Sequence, residues 1–592
     1  MSNTNLRLSG TRKGPRGRSL QATTTLPPGS AIATFPRPLL CLPDASHTRT
    51  ACDWCLRPGT TSPTLSSSST LPSTPLSPSA SQTKLSPCSR CRYVVYCSKK
   101  CQASAWKAIH KLECPRLCKV EDSVMGATRG RDANGREEEW LLPTPVRAAM
   151  QILLRLKAGD EAVKDAVGGV PFVGGRTTAE GKLEGNVEGF SSDEELWKDL
   201  GMQAMAALKF AGVELEGEKM GFAAEGVRAV LCLLQTNAFD RRDEDVGAAG
   251  VFLDVDLAMA NHSCVPNAYV CFVGRTAVLR AEREIKAGEE IEISYIDNTL
   301  SKAERHKALR LYHFECRCQR CTDDLDVYQV CRASSNIPLN VFSLQPDLGL
   351  YTKPPIDRTA LESVSPPKTV NNSQHPWAQC RPLLEAGMYA IEPLPSILHD
   401  LVIRYETADQ NFAYALSLAC FLATQCHPYA HVAPFKPWRV KGLMMIAQLL
   451  SQTAPLSAMG ELGTTCPDQR LVDRLARMDQ VSMCEAVLRL VVHYGPMGHS
   501  GDWEVLKSAR ELLDDIQQLQ GRERESAMIG AWAMDPGRPD ARHFIDEVIL
   551  GPIKALAEFA LEIVERELSS GNDGRLVLRS QPASLRRLVY TS

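Results

Sequence analysis

Apolar residues recur at helical spacing in PTPVRAAMQILLRL, from about residue 143, with Thr144 as the cap and Pro145 in the first turn. A second helix is predicted for SKAERHKALRLYHF, 301–314, where Ser301 and Glu304 form a capping box. The stretch GVRAVLCLLQTNAF, 226–239, suits a helix or a strand and runs into a polar stop. TAVLRAEREIKAGEEIEISYID, 276–297, reads as strand, AGEE turn, strand, with β-branched Ile at 285, 291 and 293. Near the start, AIATF and PRPLLCL predict two short strands after a turn at PPGS, 27–30. Antiparallel β structure is therefore expected to dominate the middle of the chain, whereas 157–198, rich in Gly and charge, shows no clear period.

Beyond a Pro-rich linker at 336–378 the pattern becomes helical: LVIRYETADQNFAYALSLACFLA, KPWRVKGLMMIAQLL, LVDRLARMDQVSMCEAVLRLVVHYG and WEVLKSARELLDDIQQL. Successive helices of this length predict pairs stacked side by side as in a solenoid, irregular or merely a bundle because no clean 34-residue repeat is visible. Residues 60–87 contain 21 Ser, Thr or Pro out of 28 and one charge, Lys84. Such a segment buries too little to fold, so a disordered loop is predicted.

At 592 residues the chain exceeds one core, and about three or four domains are expected. A net charge of −2 offers no global attraction to nucleic acid or anionic membrane. The N-terminus lacks the apolar core of a secretory signal, and no run of 18 apolar residues occurs. A soluble intracellular protein of the nucleus and/or cytoplasm, without a membrane partner, is expected. Lys99, Lys100, Lys107 and Lys111 read as a solvated helix face, so nucleic-acid binding is expected to be weak or absent.

The 21 cysteines change the picture, because many are clustered rather than spread as in a disulfide framework. Cys52 and Cys55 are followed by Cys88, Cys91, Cys97, Cys101, His110 and Cys114, and the 60–87 loop must be looped out of any module they share. Eight soft ligands at these spacings imply two structural zinc ions. Cys41, Cys118, Cys232 and Cys271 stand apart and read as small buried hydrophobes. Cys316, Cys318 and Cys321 offer three thiolates in six residues and need a fourth ligand. Either Cys264, within the polar loop NHSCVPN at 261–267, or Cys331 could supply it. A plain turn remains the simplest reading of that loop.

These residues together resemble the SMYD group of lysine methyltransferases, in which a SET domain is interrupted by a MYND zinc finger. The finger resemblance rests on Cys52 to Cys114 with Tyr96, Trp106 and Glu113. The SET resemblance rests on RGRSLQA, NHSCVPN, LRAEREIKAGEEIEISYID and YHFECRCQRC. It implies a multidomain α+β fold: an N-terminal SET part (1–50), the finger (51–115), a helical insert (116–225), core SET (226–298), a zinc-bearing post-SET segment (299–335), the linker, and a helical C-terminal domain (379–592). It further implies cross-braced metals, with Cys52, Cys55, Cys97 and Cys101 on one zinc and Cys88, Cys91, His110 and Cys114 on another. Cys264 joins Cys316, Cys318 and Cys321 on a third.

By the same resemblance, S-adenosylmethionine is held by Arg16, Gly17, Arg18, Asn237, Asn261, His262 and Phe314. Tyr295 is the active-site tyrosine, and Tyr312 lines the channel of the target lysine. The implied activity is methyl transfer to lysine in a histone or another protein, with peptide binding by the finger; a non-catalytic scaffold is the competing reading. The chain departs from the family pattern in three places. Ser19 stands where RGxGL has Gly, the Cys101 to His110 gap is one residue longer, and the 60–87 insertion is far longer than usual. If the backbone at 19 needed positive φ, Ser would weaken cofactor binding.

Overall fold

The computed structural model describes residues 5–10, 17–59, 83–126, 141–168, 181–243, 247–349 and 376–569. Arg16 and most of the 60–87 segment lie outside the described residues; Ser86–Pro87 lie within them, in a strand. Among the described residues twelve strands follow in chain order: β1 (Leu6–Gly10), β2 (Arg18–Ala22), β3 (Ala31–Phe35), β4 (Leu40–Pro43), β5 (Ser86–Pro87) and β6 (Val95–Tyr96). Then come β7 (Phe239–Asp243), β8 (Gly247–Leu253), β9 (Asn261–His262), β10 (Ala268–Val273), β11 (Thr276–Ala281) and β12 (Glu290–Ile293). They form small sheets ordered β1-β2-β12-β9, β10-β11-β3, β4-β8-β7 and β5-β6. Every pairing is antiparallel except β12 with β9, which run parallel with Ile293 opposite His262. The AGEE turn therefore separates strands of different sheets: β11 joins β10 and β3, while β12 is inserted between β2 and β9.

Three expectations are sharpened by tertiary contacts. The ambiguous 226–239 stretch is helical through Asn237, within helix Gly217–Asn237, and becomes strand at Phe239. Thr144 opens helix Thr144–Lys157 but does not cap it, because its Oγ1 accepts the N–H of Ala45 at 2.9 Å. Ser301 does cap helix Lys302–Leu309, taking the Glu304 N–H at 3.3 Å and donating to its carboxylate at 2.9 Å.

The C-terminal region is helical, and two of the long apolar stretches are broken by caps. Asn411 accepts the Tyr414 N–H at 3.1 Å and separates Leu394–Thr407 from Phe412–Phe421. Asp479 accepts from Ser482 and separates Gln469–Ala476 from Gln480–Gly498. Helix Pro437–Ala458 packs along Gln480–Gly498, and Phe412–Phe421 along Gly551–Ser569. Among the described residues no helix is long and apolar enough to cross a membrane.

One buried apolar cluster spans Leu20 to Ile293 and another Val327 to Val564. They meet where helix Gln480–Gly498 ends: Arg280 donates to the carbonyls of Met497 at 3.2 Å and His499 at 2.6 Å, and the Tyr269 hydroxyl donates to that of Met497 at 3.0 Å. A cation at a helix C-terminus also meets the negative end of its dipole. A second seam is acidic. Burial, with Asp297 and Glu304 nearby, pushes the carboxyl of Glu392 up to about 7. Its folded-state value lies above the ordinary 4.5, so stability falls as pH rises from about 4.5 to 7. Glu392→Gln is expected to raise the melting temperature at pH 8 and leave it nearly unchanged at pH 4, as read by scanning calorimetry at both values.

Candidate active site and metal centres

The parallel β9–β12 pair places Asn261 and His262 on the floor of a cleft of about 1060 Å³. The NHSCVPN loop is more than a turn. Asn267, 1% exposed, donates to the Glu290 carbonyl at 2.8 Å and accepts the Glu292 N–H at 2.8 Å, so its side chain stitches the loop to β12. Asn261 donates to the Arg18 carbonyl at 3.2 Å and the Glu290 carboxylate at 2.8 Å, tying β9 to β2 and β12. Gly17, with φ +69° and open space around its Cα, and Arg18 form the cleft's edge. Ser19 is in the extended strand β2, so the left-handed backbone sits at Gly17 and Ser19 carries no such strain.

Four rings gather at the far end of the cleft. Tyr295 lies 5.2 Å from the His262 ring and 4.9 Å from that of Tyr312, with Phe314 at 6.3 Å. The Tyr295 hydroxyl donates to the Ala260 carbonyl at 2.6 Å, and its backbone N–H donates to His262 Nδ1 at 3.0 Å. The Tyr312 hydroxyl points toward the Tyr295 carbonyl at 3.5 Å, and burial raises its pKa well above that of free tyrosine. Phe314 remains 40% exposed at the rim, where a planar ring can cover a ligand. Asn237, at the end of its helix, donates to the Glu184 carbonyl at 2.6 Å and the Leu233 carbonyl at 2.8 Å.

All the described members of the expected cofactor set line this one cleft. Glu184, Asn186 and His313, which the sequence did not single out, line it too. Segment 182–190 crosses one side of the cleft, with the Glu184 carboxylate 3.7 Å from Arg18 and Asn186 Nδ2 donating to the Tyr312 carbonyl at 3.4 Å. Gly189 is needed for that crossing, since a Cβ there would fall 2.4 Å from the His313 ring. Phe190 packs edge-on to the same ring at 4.5 Å. LEGN sits in the aperiodic Gly-rich stretch, which gave no signal of this role.

The cysteines sort into three groups: Cys52, Cys55, Cys97, Cys101; Cys88, Cys91, His110, Cys114; and Cys264, Cys316, Cys318, Cys321. In each, the four candidate ligand atoms lie within 4.8 Å of one another. Tetrahedral zinc with Zn–S near 2.3 Å needs edges of about 3.8 Å. The observed S–S separations, 3.5 Å for Cys55–Cys97, 3.9 Å for Cys88–Cys114 and 3.9 Å for Cys264–Cys316, fit that requirement. None of the 21 cysteines is in a disulfide. Cys331, the alternative fourth ligand, instead points to the Pro428 carbonyl at 3.8 Å in the helical core. Cys41, Cys232 and Cys271 are buried and Cys118 half-buried. Elemental analysis of the purified protein is expected to give three zinc ions per chain, falling to two in Cys318→Ser.

A buried network supports the second group. His110 turns Nε2 toward Cys88, at 3.3 Å, and Nδ1 toward Glu113, at 3.6 Å. Glu113 accepts from Arg147 at 2.7 and 3.1 Å and from Gln151 at 3.0 Å, and Arg147 also pairs with Asp53 at 2.8 Å. Although burial opposes it, Arg147 holds the Glu113 carboxyl well below the usual range. A carboxylate behind a metal-facing imidazole fixes its ring and tautomer.

Residues 17–296 match the family model described as "SET domain". That match covers just under half of the chain. Relatives extend the likeness: "SET domain and MYND-type zinc finger protein 6" of Schizosaccharomyces pombe is 26% identical over 309 residues, 52% of this chain and 50% of that protein. "N-lysine methyltransferase SMYD2" of Homo sapiens is 31% identical over 240 residues, covering 40% and 48% respectively. "Histone-lysine N-methyltransferase SMYD3" of Mus musculus is 31% identical over 245 residues, covering 41% and 50%. The matched region spans about half the length of these relatives. A solved structure titled "Crystal structure of the SET domain of LSMT bound to Lysine and AdoHcy" aligns over 92% of each chain at 12% identity and a TM-score of 0.21, too loose a likeness to bear on the site. The matched region ends just after Tyr295, while Tyr312, Phe314, Cys316 and Cys318 line the cleft from beyond it.

Proposed function

We propose that the chain is an S-adenosylmethionine-dependent protein-lysine N-methyltransferase, with the 52–114 module acting as a MYND finger and the domain boundaries expected from the sequence, except that Val327, Cys331, Phe342 and Leu344, assigned to the post-SET segment and the linker, pack with the helical C-terminal core. The observation that carries this reading is the convergence of Tyr295, Tyr312, His262 and Phe314 at the end of a cleft lined by Gly17, Arg18, Asn237 and Asn261. The relatives named for lysine methyl transfer support it. The cofactor supplies an electrophilic methyl group on a sulfonium. The lysine nitrogen forms the new C–N bond, the C–S electron pair stays on sulfur, and the surplus proton passes to water.

Such a displacement depends on alignment more than on a strong acid or base. The target lysine must attack as the neutral amine although its ordinary pKa is near 10.4. An aromatic channel of Tyr295 and Tyr312 favours that form by withholding water. Tyr295, fixed at its hydroxyl by Ala260 and at its amide by His262, would hold the amine in line. Arg18 and Glu184 would meet the amino-acid end of the cofactor and Phe314 its adenine. The partner is a protein or peptide with an exposed lysine.

Titration calorimetry with S-adenosylmethionine, followed by transfer of labelled methyl to histone and protein arrays, tests the reading. Cofactor binding with transfer to lysine is expected. Absence of cofactor binding would refute it, and binding without transfer to any protein would favour a scaffold.

A further inference from the structure

His262 carries a contact that lining a cofactor cleft leaves unexplained. Its Nδ1 receives the Tyr295 backbone N–H at 3.0 Å, so that nitrogen offers a lone pair. An uncharged imidazole then bears its one proton on Nε2. Nε2 lies 3.3 Å from the sulfur of Cys264. A ring that accepted at both nitrogens would be an anion, so the sulfur must be the acceptor, as a metal-bound thiolate is. Cys264 Sγ in turn lies 3.9 Å from Cys316 Sγ and 3.5 Å from Cys321 Sγ.

The setting is dry, with His262 6% and Cys264 1% exposed. Four thiolates around one divalent zinc leave a net charge of −2, which a buried site must answer with donors. A second donor stands across the cluster: Arg305, 1% exposed, directs Nη2 at Cys321 Sγ at 3.5 Å while Nη1 donates to the Leu300 carbonyl at 2.7 Å. Both donors would be placed without purpose if the thiols were ordinary core residues.

We propose that His262 is a positioning residue coupling the third metal centre to Tyr295: its Nε2–H donates to the Cys264 thiolate while Nδ1 accepts the Tyr295 amide. The metal cluster then sets where Tyr295 stands, through one rigid ring and without touching substrate. The link to catalysis rests on the methyltransferase reading; the link to the metal does not.

Two variants separate the two bonds. Asn at 262 places an amide oxygen near the Nδ1 position and reaches no further, whereas Gln brings an amide N–H near the Nε2 position. His262→Asn is expected to release one zinc to a chelator about tenfold or more faster than wild type, in the range usual for lost outer contacts. That zinc is assigned to the third cluster by its absence from Cys316→Ser. His262→Gln is expected to hold the zinc at nearly the wild-type rate while kcat falls at least as far as in the Asn variant and peptide KM changes little. Independently of either variant, selective 15N-histidine labelling of the wild-type protein should show His262 protonated on Nε2 alone. Protonation on Nδ1, or identical zinc release and kcat in the two variants, would overturn the proposal. The spectrum and release rates need no turnover, so an inactive wild-type protein would sink the enzymatic reading separately.

Discussion

Tyr295→Phe is expected to slow methyl transfer by about 10²-fold or more while changing S-adenosylmethionine affinity only a few-fold. The substitution keeps the ring, which packs 5.2 Å from His262 and 4.9 Å from Tyr312, and keeps the backbone N–H that His262 accepts. It removes the hydroxyl that donates to the Ala260 carbonyl at 2.6 Å. Without that anchor the ring gains freedom at the place where the proposed transfer aligns nitrogen, methyl and sulfur. Single-turnover transfer with cofactor saturating, set beside calorimetry, separates lost alignment from lost binding. An equal loss in both would move Tyr295 from the reacting centre to the cofactor wall.

Arg147→Met is expected to destabilise the paired-metal module by about 3–5 kcal/mol, because it strands two buried carboxylates. Arg147 is 2% exposed, and its guanidinium spans Glu113 and Asp53, one near His110 and the other beside Cys52. Arg147 itself belongs to helix Thr144–Lys157, so the same fork fastens the module to the helical segment that follows. Lysine cannot replace it, since one ammonium does not reproduce a planar fork of donors. Thermal unfolding together with zinc content should show an earlier transition and loss of metal from the 52–114 clusters in Arg147→Met, and a substantial part of both in Arg147→Lys.

The metal clusters were the most legible part of the sequence, because thiolate spacing is local within each half-cluster and the chemistry of zinc leaves few alternatives. Strands β3 and β4 were legible from the turn and prolines beside them, and β11 and β12 from their β-branched residues and the AGEE turn, but their partners were not. Nothing local to EIEI announces that it will lie between β2 and Asn261–His262. Helix breaks at Asn411 and Asp479 were missed although polar residues mark both, Glu406, Thr407, Asp409 and Gln410 before the first and Arg477 before the second, because the segments on either side carry the same helical spacing. Thr144 was misjudged for a related reason: a distant backbone amide, Ala45, competed for its hydroxyl. Of the site, the motif-borne residues Asn237, Asn261, His262, Tyr295, Tyr312 and Phe314 were anticipated by resemblance and meet in one cleft. Glu184, Asn186 and His313 were not, since their places follow from a close glycine approach and a long-range strap rather than from any periodicity.

Leu20 of β2 pairs with Ile291 of β12, so a strand made early must await a partner synthesised 271 residues later. At 5–20 residues per second, a ribosome takes about 15–55 s to deliver it. During that interval the nascent protein holds an unfinished sheet edge, which makes protection by a chaperone most valuable before β12 emerges. Shortening the wait by circular permutation should raise the soluble yield.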